Sequence, residues 1–98
     1  MILIYYFLIG SKQFLFYEEP LEEILRERVT YYLTNSIPID FWILNPDDLK
    51  SVNVIDQGLS FINKPALLII SKDKNFITWL NLRLQYVFTG ELKTNLLI

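Results

Sequence analysis

Carboxylates are the only reactive side chains that the sequence supplies in number, and paired carboxylates can act as general acid and base or hold a metal ion. Six of the eleven acidic residues lie in two groups, the first made of Glu18, Glu19, Glu22 and Glu23 and the second of Asp47 and Asp48. Both groups lie where helices are predicted to begin. Acidic side chains are expected there because they stabilise the positive end of the helix dipole. We therefore interpret both groups as structural.

The side chains needed for most other chemistry are missing, because the 98 residues contain neither histidine nor cysteine. Without imidazole, the chain lacks the commonest general base and the commonest metal ligand, and no Ser-His-Asp triad can form. Without thiols there are no disulfides and no thiolate nucleophile. A Glu-x-x-His di-iron motif and a glycine-rich phosphate loop are also absent from the sequence. The sequence predicts a protein that is not an enzyme and binds no cofactor or metal.

Two charged residues are harder to explain as structural. Asp40 interrupts an otherwise apolar strand, and burying an unpaired carboxylate would cost several kcal/mol. Arg83 lies in a largely apolar helix. One interpretation pairs Asp40 with Arg83 between the strand and the helix. The other turns both outward, beside Phe41 and Trp79, as part of a docking surface, since aromatic residues and arginine dominate interface hot spots.

The helix that carries Arg83 is predicted over residues 74–88, with Asp73 as its N-cap and Gly90 as its stop. Its helical wheel has two apolar surfaces. The core face consists of Phe76, Ile77, Leu80, Leu84 and Val87. The second stripe consists of Trp79, Leu82 and Tyr86. This stripe needs cover, either from the chain's own tail or from a partner.

Composition favours a single domain over residues 1–98 that does not bind nucleic acid. The chain is 52% hydrophobic, carries a formal charge of −2 and has no basic cluster. Its N-terminus, MILIYYFLI, has about half the ~20 apolar residues of a membrane span and suits a buried strand better. We expect no transit peptide before it, and we therefore expect the protein to work where it is made.

Periodicity and turn signals predict the remaining elements. They are a hairpin over 2–17, a helix over 20–35, a strand over 39–45, a short helix over 46–52, a strand over 65–71 and the long helix over 74–88. A single helical turn at residues 11–16 competes with the second hairpin strand. Residues 53–63 are expected to be irregular, broken at Gly58, and residues 92–98 show no pattern. The predicted class is α+β, a small, mainly antiparallel four-stranded sheet with helices on both faces.

Four segments together resemble a known family, in the same order and at similar spacing. They are EEPLEEILRERV (18–29), IDFW (39–42), PALLIIS (65–71) and DKNFITWLNLRLQYVFTGE (73–91). The sequence is similar to the hypothetical chloroplast reading frame fifty-four family, called low chlorophyll accumulation A in plants. The resemblance extends from Tyr5 to about Glu91.

The resemblance implies a fold similar to the extrinsic PsbP proteins of photosystem II. It also implies a non-catalytic accessory factor of the Mg-protoporphyrin IX monomethyl ester oxidative cyclase, which forms protochlorophyllide in chlorophyll biosynthesis. The implied partner is the di-iron subunit of that cyclase, with other chlorophyll-biosynthesis enzymes as further partners. The family's functional Asp-Phe pair and helix arginine fall on Asp40, Phe41 and Arg83, which Trp79 and Tyr86 flank in this sequence.

The same resemblance implies a plastid or cyanobacterial location, peripheral to the thylakoid. A rival hypothesis is a carrier that binds a tetrapyrrole and presents the porphyrin substrate. Aromatic residues and an arginine for a propionate would suit that role, although no histidine is available as an axial ligand for the magnesium.

Overall fold

A computed structural model describes residues 3–18, 21–45, 53–62, 65–84 and 86–94 of the chain. Its elements, in chain order, are β1 (Leu3–Ser11), a π-helical turn (Phe14–Glu18), α1 (Leu21–Thr34), β2 (Phe41–Leu44), α2 (Asn53–Ile62), β3 (Ala66–Ser71), α3 (Lys74–Arg83) and β4 (Phe88–Thr94). The four strands form one sheet in the order β2-β3-β1-β4, and every neighbouring pair is antiparallel.

Side chains alternate across the two faces of this sheet, and each face is covered by helix. One cluster joins Leu8, Leu67 and Ile69 of the sheet to α1 and α3. The other joins Phe7, Leu68 and further sheet residues to α2. The strands β1 and β3 carry apolar side chains on both faces, because helices cover both faces of the sheet. The predicted class, an α+β fold with an antiparallel four-stranded sheet between helices, is confirmed.

The predicted hairpin over residues 2–17 is wrong. Its first half is β1, but the second half forms the π-helical turn, close to the single helical turn that competed with it. Ser11 Oγ accepts a hydrogen bond from the Phe14 backbone N–H at 3.0 Å at the start of this turn. Within the turn, the Leu15 side chain is fully buried. The two edges of β1 are instead taken by β3 and β4, which come from distant parts of the sequence.

The predicted long helix over 74–88 ends at Arg83, and Gly90 is not its stop. Leu84 is already extended, with φ −118° and ψ 151°, and the chain then enters β4. Gly90 lies opposite Phe7 in the sheet, where an added Cβ would come within 2.8 Å of the Phe7 ring. Its glycine is therefore explained by close packing across two strands. Leu92, in the tail that showed no pattern, is almost fully buried.

Residues 53–62 form the helix α2, where an irregular segment broken at Gly58 was expected. Gly58 lies inside this helix against the sheet, and a Cβ there would approach Ile9 Cδ1 to 2.6 Å. The absent side chain lets the helix lie close to the strand. The predicted short helix over 46–52 lies outside the described residues. The predicted helix 20–35 and strands 39–45 and 65–71 correspond to α1, β2 and β3.

Candidate protein-docking surface

Asp40 lies directly before β2 and is partly buried against α1. Its Oδ1 accepts a hydrogen bond from the Tyr32 hydroxyl at 3.1 Å. The ion pair between Asp40 and Arg83, one of the two interpretations from sequence, is not formed; Arg83 pairs with Glu27 instead. Asp40 therefore joins its strand to α1, and the carboxylate is accommodated by a tyrosine hydroxyl.

Tyr32 is a buried residue with a titratable hydroxyl at the centre of this region. Burial raises the pKa of that hydroxyl above the ordinary 10.0, and the Asp40 carboxylate acts in the same direction. The neighbouring Arg28 side chain opposes the shift. The hydroxyl is therefore neutral at physiological pH and acts as the donor to Asp40.

Arg83 is the last residue of α3, and it joins that helix to α1. Its guanidinium donates to both carboxylate oxygens of Glu27, at 3.0 and 3.1 Å. The guanidinium carbon also lies 4.6 Å from the centroid of the Trp79 ring, one helical turn earlier. Two hydrogen bonds and one stacking contact fix the orientation of a side chain that is still 41% exposed.

Phe41, at the start of β2, and Trp79 on α3 are the partly exposed members of a run of aromatic rings. Phe41 stacks on the buried Phe76 at a centroid distance of 4.9 Å, and Phe76 stacks on Trp79 at 6.1 Å. The Tyr32 ring is tilted against Phe41, with their centroids 6.3 Å apart. The rings therefore connect α1, β2 and α3 through one packed row, so that Phe41 and Trp79 are held in place from below.

Arg28 is the member of this site that sequence reasoning missed. Its guanidinium carbon lies 4.6 to 5.6 Å from the centroids of four rings, those of Tyr31, Tyr32, Trp79 and Phe76. Its Nε is buried and has no hydrogen-bond partner among the described residues. The spacing of Arg28 to Tyr31 and Tyr32, at i+3 and i+4 on one helix, was the signal that could have found it.

Together these residues form what we call the arginine–aromatic cluster, defined as Arg28, Tyr32, Asp40, Phe41, Trp79 and Arg83. Four of the five predicted site residues belong to it. Tyr86 does not, because α3 ends before it and the predicted helical stripe through Trp79, Leu82 and Tyr86 is therefore wrong. Tyr86 has a positive φ of 57°, is 74% exposed and packs edge-on against Phe14, with centroids 5.4 Å apart.

The chemistry of the cluster suits recognition. It offers planar donors and aromatic faces held in fixed orientations. Among the residues that the structure describes, no group of three or more acidic side chains is arranged to hold a metal ion. Within the same part of the chain, no helix is long and apolar enough to cross a membrane.

Comparison with known proteins gives a consistent set of relatives. The family model described as "Ycf54 protein" matches residues 3–94. The chain is 45% identical over 94 residues to "Uncharacterized protein ycf54" of Cyanidium caldarium, covering 91% of this chain and 88% of that protein. It is 33% identical over 85 residues to "Protein YCF54, chloroplastic" of Arabidopsis thaliana, covering 85% and 39%. The solved structure of the Ycf54 protein from Synechocystis sp. PCC6803 matches with a TM-score of 0.81 at 31% identity, covering 98% and 90%.

Proposed function

The chain belongs to the Ycf54 family, and from this premise we propose that it is a non-catalytic accessory factor of the oxidative Mg-protoporphyrin IX monomethyl ester cyclase. It binds the di-iron subunit of the cyclase through the arginine–aromatic cluster and stabilises the folded or assembled state of that subunit. Its role in chlorophyll biosynthesis is to keep the cyclase competent to form protochlorophyllide, while the di-iron chemistry belongs to the partner.

The observation that carries the proposal is the way Phe41, Trp79 and Arg83 are held. All three remain partly exposed, yet each contacts a second element of the fold: Phe41 stacks on Phe76 of α3, Trp79 lies against Arg28 of α1, and Arg83 pairs with Glu27 of α1. Interface hot spots are enriched in tryptophan and arginine that are already ordered before binding, because less conformational entropy is then lost on association. The cluster meets that description, and it includes the Asp-Phe pair and helix arginine that the family resemblance assigns to cyclase function.

The mechanism is linkage. A protein that binds the native subunit and not its unfolded form shifts the folding equilibrium of that subunit by mass action, by about 2.7 kcal/mol at 100 times the dissociation constant. Neither a reactive group nor a cofactor is needed on this chain for that effect. A family location in plastids and cyanobacteria fits this task, and we place the protein at the stromal or cytoplasmic surface of the thylakoid.

The test uses the two purified proteins. The di-iron subunit is heated alone and with increasing amounts of this chain, and its midpoint of thermal unfolding is followed together with capture on an affinity resin. The proposal predicts stoichiometric capture and a midpoint that rises with the concentration of the chain. Absence of both effects would contradict it.

The rival function is a tetrapyrrole carrier, and one observation gives it some support. An open apolar groove of about 390 Å³ lies beside Phe41, with Arg26 at its rim. That volume falls within the ~300–1,000 Å³ of small-molecule sites. However, Arg26 is already engaged with Glu22 at 2.8 Å. Titration of the isolated chain with Mg-protoporphyrin IX monomethyl ester decides between the two, because saturable micromolar binding without the cyclase would favour the carrier.

A further inference from the structure

The two edges of the sheet differ in how they are protected from pairing with another strand. The edge strand β4 carries Glu91 and Lys93, both exposed. Charged side chains on an edge strand oppose the addition of a further strand. The other edge, β2, consists of Phe41, Trp42, Ile43 and Leu44 and has no charged residue or proline. Ile43 is 49% exposed there. By this criterion, and among the strands that the structure describes, β2 is the edge open to another strand.

The register determines which backbone groups of the sheet point in which direction. The Lys12 N–H donates to the Pro65 carbonyl at 2.8 Å, in continuation of the pairing of β1 with β3. In an antiparallel pair, residues that exchange hydrogen bonds alternate with residues that do not. Every second residue of β3 after Pro65 therefore directs its N–H and C=O groups towards β1. These residues are Leu67, Ile69 and Ser71.

The intervening residues of β3, Leu68 and Ile70, therefore direct theirs towards β2. Their partners in β2 are Leu44 and Trp42. It follows that the N–H and C=O groups of the alternate residues of β2 point away from the sheet. These residues are Phe41 and Ile43.

The side chains of the same two residues line the apolar groove. Phe41 and Ile43 lie on the sheet face covered by α1 and α3, since residues two apart in a strand share a face. The remaining apolar lining comes from Phe16, Leu21, Leu25 and Val29. The outward-pointing N–H and C=O groups of β2 therefore lie next to the groove, because the same two residues supply both.

We infer that β2 accepts an extended segment of the partner as a fifth strand of the sheet, with an apolar side chain of that segment in the groove. This inference rests on the proposed function, because the partner is the di-iron subunit. A strand is the occupant that fits, since it can pair with the N–H and C=O groups of Phe41 and Ile43, whereas a helix has already satisfied its own. An added strand would lie about 4.8 Å from β2. Its side chains that face α1 would be apolar.

The edge strand β2 shares one residue, Phe41, with the arginine–aromatic cluster. Phe41 lines the groove and stacks on Phe76 beneath Trp79. A partner segment that pairs with β2 would therefore contact one residue of the cluster, Phe41.

The first experiment removes one outward N–H from each edge. Proline is tolerated on an edge strand where its nitrogen faces away from the sheet. Ile43→Pro removes such a donor from β2, and Glu91→Pro is the matched change on β4, where the same alternation turns Glu91 outward. We expect Ile43→Pro to weaken binding to the purified di-iron subunit by roughly tenfold or more, and Glu91→Pro to leave it within about threefold. Ile43→Val, which keeps both the N–H and an apolar side chain, should bind as the wild type does.

The second experiment reads the hydrogen bonds directly and needs no variant to fold. Residue-resolved amide exchange is measured on the wild-type chain alone and in complex with the subunit. In the free chain the amides of Trp42 and Leu44 should be protected and those of Phe41 and Ile43 should exchange faster. In the complex, the exchange of Phe41 and Ile43 should slow by roughly tenfold or more.

Each outcome has a distinct meaning. If the wild-type chain fails to bind the subunit, both the proposed function and the inference of a fifth strand are contradicted. If the wild type binds but exchange at Phe41 and Ile43 is unchanged, only the fifth strand is overturned. If those amides are already protected in the free chain and light scattering gives the mass of a dimer, β2 pairs with a second copy of this chain and the inference is likewise overturned.

Discussion

Arg83 at the end of α3 donates two hydrogen bonds, at 3.0 and 3.1 Å, to the carboxylate of Glu27 in the middle of α1, 56 residues earlier in the chain. This pair joins α3 to α1 at the arginine–aromatic cluster. It holds the Arg83 guanidinium over the Trp79 ring. Asp40 is not paired with Arg83 and accepts a hydrogen bond from the Tyr32 hydroxyl instead. The consequences of this arrangement can be measured residue by residue.

The Arg83–Glu27 pair should contribute little to stability. The two side chains are 41% and 58% exposed, and exposed ion pairs typically contribute ~0.2–1 kcal/mol. A double-mutant cycle with Arg83→Ala and Glu27→Ala, followed by urea unfolding, should give a coupling energy in that range. A coupling well above ~2 kcal/mol would show that the pair is a main support of the α1–α3 packing.

Phe76 should be the stability-determining member of the aromatic row. It is fully buried and stacks on both Phe41 and Trp79. Phe76→Ala should lower the free energy of unfolding by about 3–5 kcal/mol. Tyr86→Ala, at a residue that is 74% exposed, should change it by less than ~1 kcal/mol. Equal losses in the two variants would mean that the row is not packed as described.

Gly90 should resist replacement because of Phe7. An added Cβ would lie 2.8 Å from the ring, so Gly90→Ala should destabilise the protein by about 1–3 kcal/mol. The ring itself supplies the control. Combining Gly90→Ala with Phe7→Leu should give a loss smaller than the sum of the two single losses, because the smaller side chain makes room. Strict additivity in thermal or urea unfolding would contradict the packing explanation.

Stability should fall at high pH through Tyr32. Burial raises the pKa of its hydroxyl, so the folded state holds the proton more tightly than the unfolded state does. This contribution is fully present below pH 10.0, the ordinary value, and is lost as the pH rises through the raised folded-state pKa. The variant Tyr32→Phe lacks the titrating group. The difference in unfolding free energy between wild type and Tyr32→Phe should therefore be constant up to about pH 9 and smaller at about pH 11, and an unchanged difference at the higher pH would contradict the assignment.

The sequence was most informative where local pattern and tertiary structure agree. The 3.6-residue period of α1 and the apolar run of β3 are satisfied by burial on the faces that the pattern indicates. The strand β4 could not be found that way. The apolar spacing of the preceding helix continues at Leu84, Val87 and Phe88. However, Leu84 is already extended, and Phe88 pairs with Ile9 of β1, a long-range interaction that overrides local propensity.

The site shows the same division. Asp40 and Arg83 were identified because a charge within an apolar element needs a partner. The partners of Asp40 and Arg83 could not be identified from sequence. Both partners, Tyr32 and Glu27, come from α1, and no local sequence pattern predicts how this helix packs against β2 and α3. Only half of the surroundings of Arg28 are local: Tyr31 and Tyr32 follow it on α1, but the other two rings around it belong to α3 and could not be assigned from sequence.

The most direct test of the docking surface is the affinity of the purified chain for the cyclase di-iron subunit, compared among Phe41→Ala, Arg83→Ala and Tyr86→Ala. Each variant is first shown to be folded by its amide exchange or circular dichroism. We predict that Phe41→Ala and Arg83→Ala each weaken binding by about 30-fold or more, the loss typical of a hot spot of ~2 kcal/mol, and that Tyr86→Ala stays within about twofold of the wild type. Folded Phe41→Ala and Arg83→Ala variants that bind the subunit as tightly as the wild type would contradict the account.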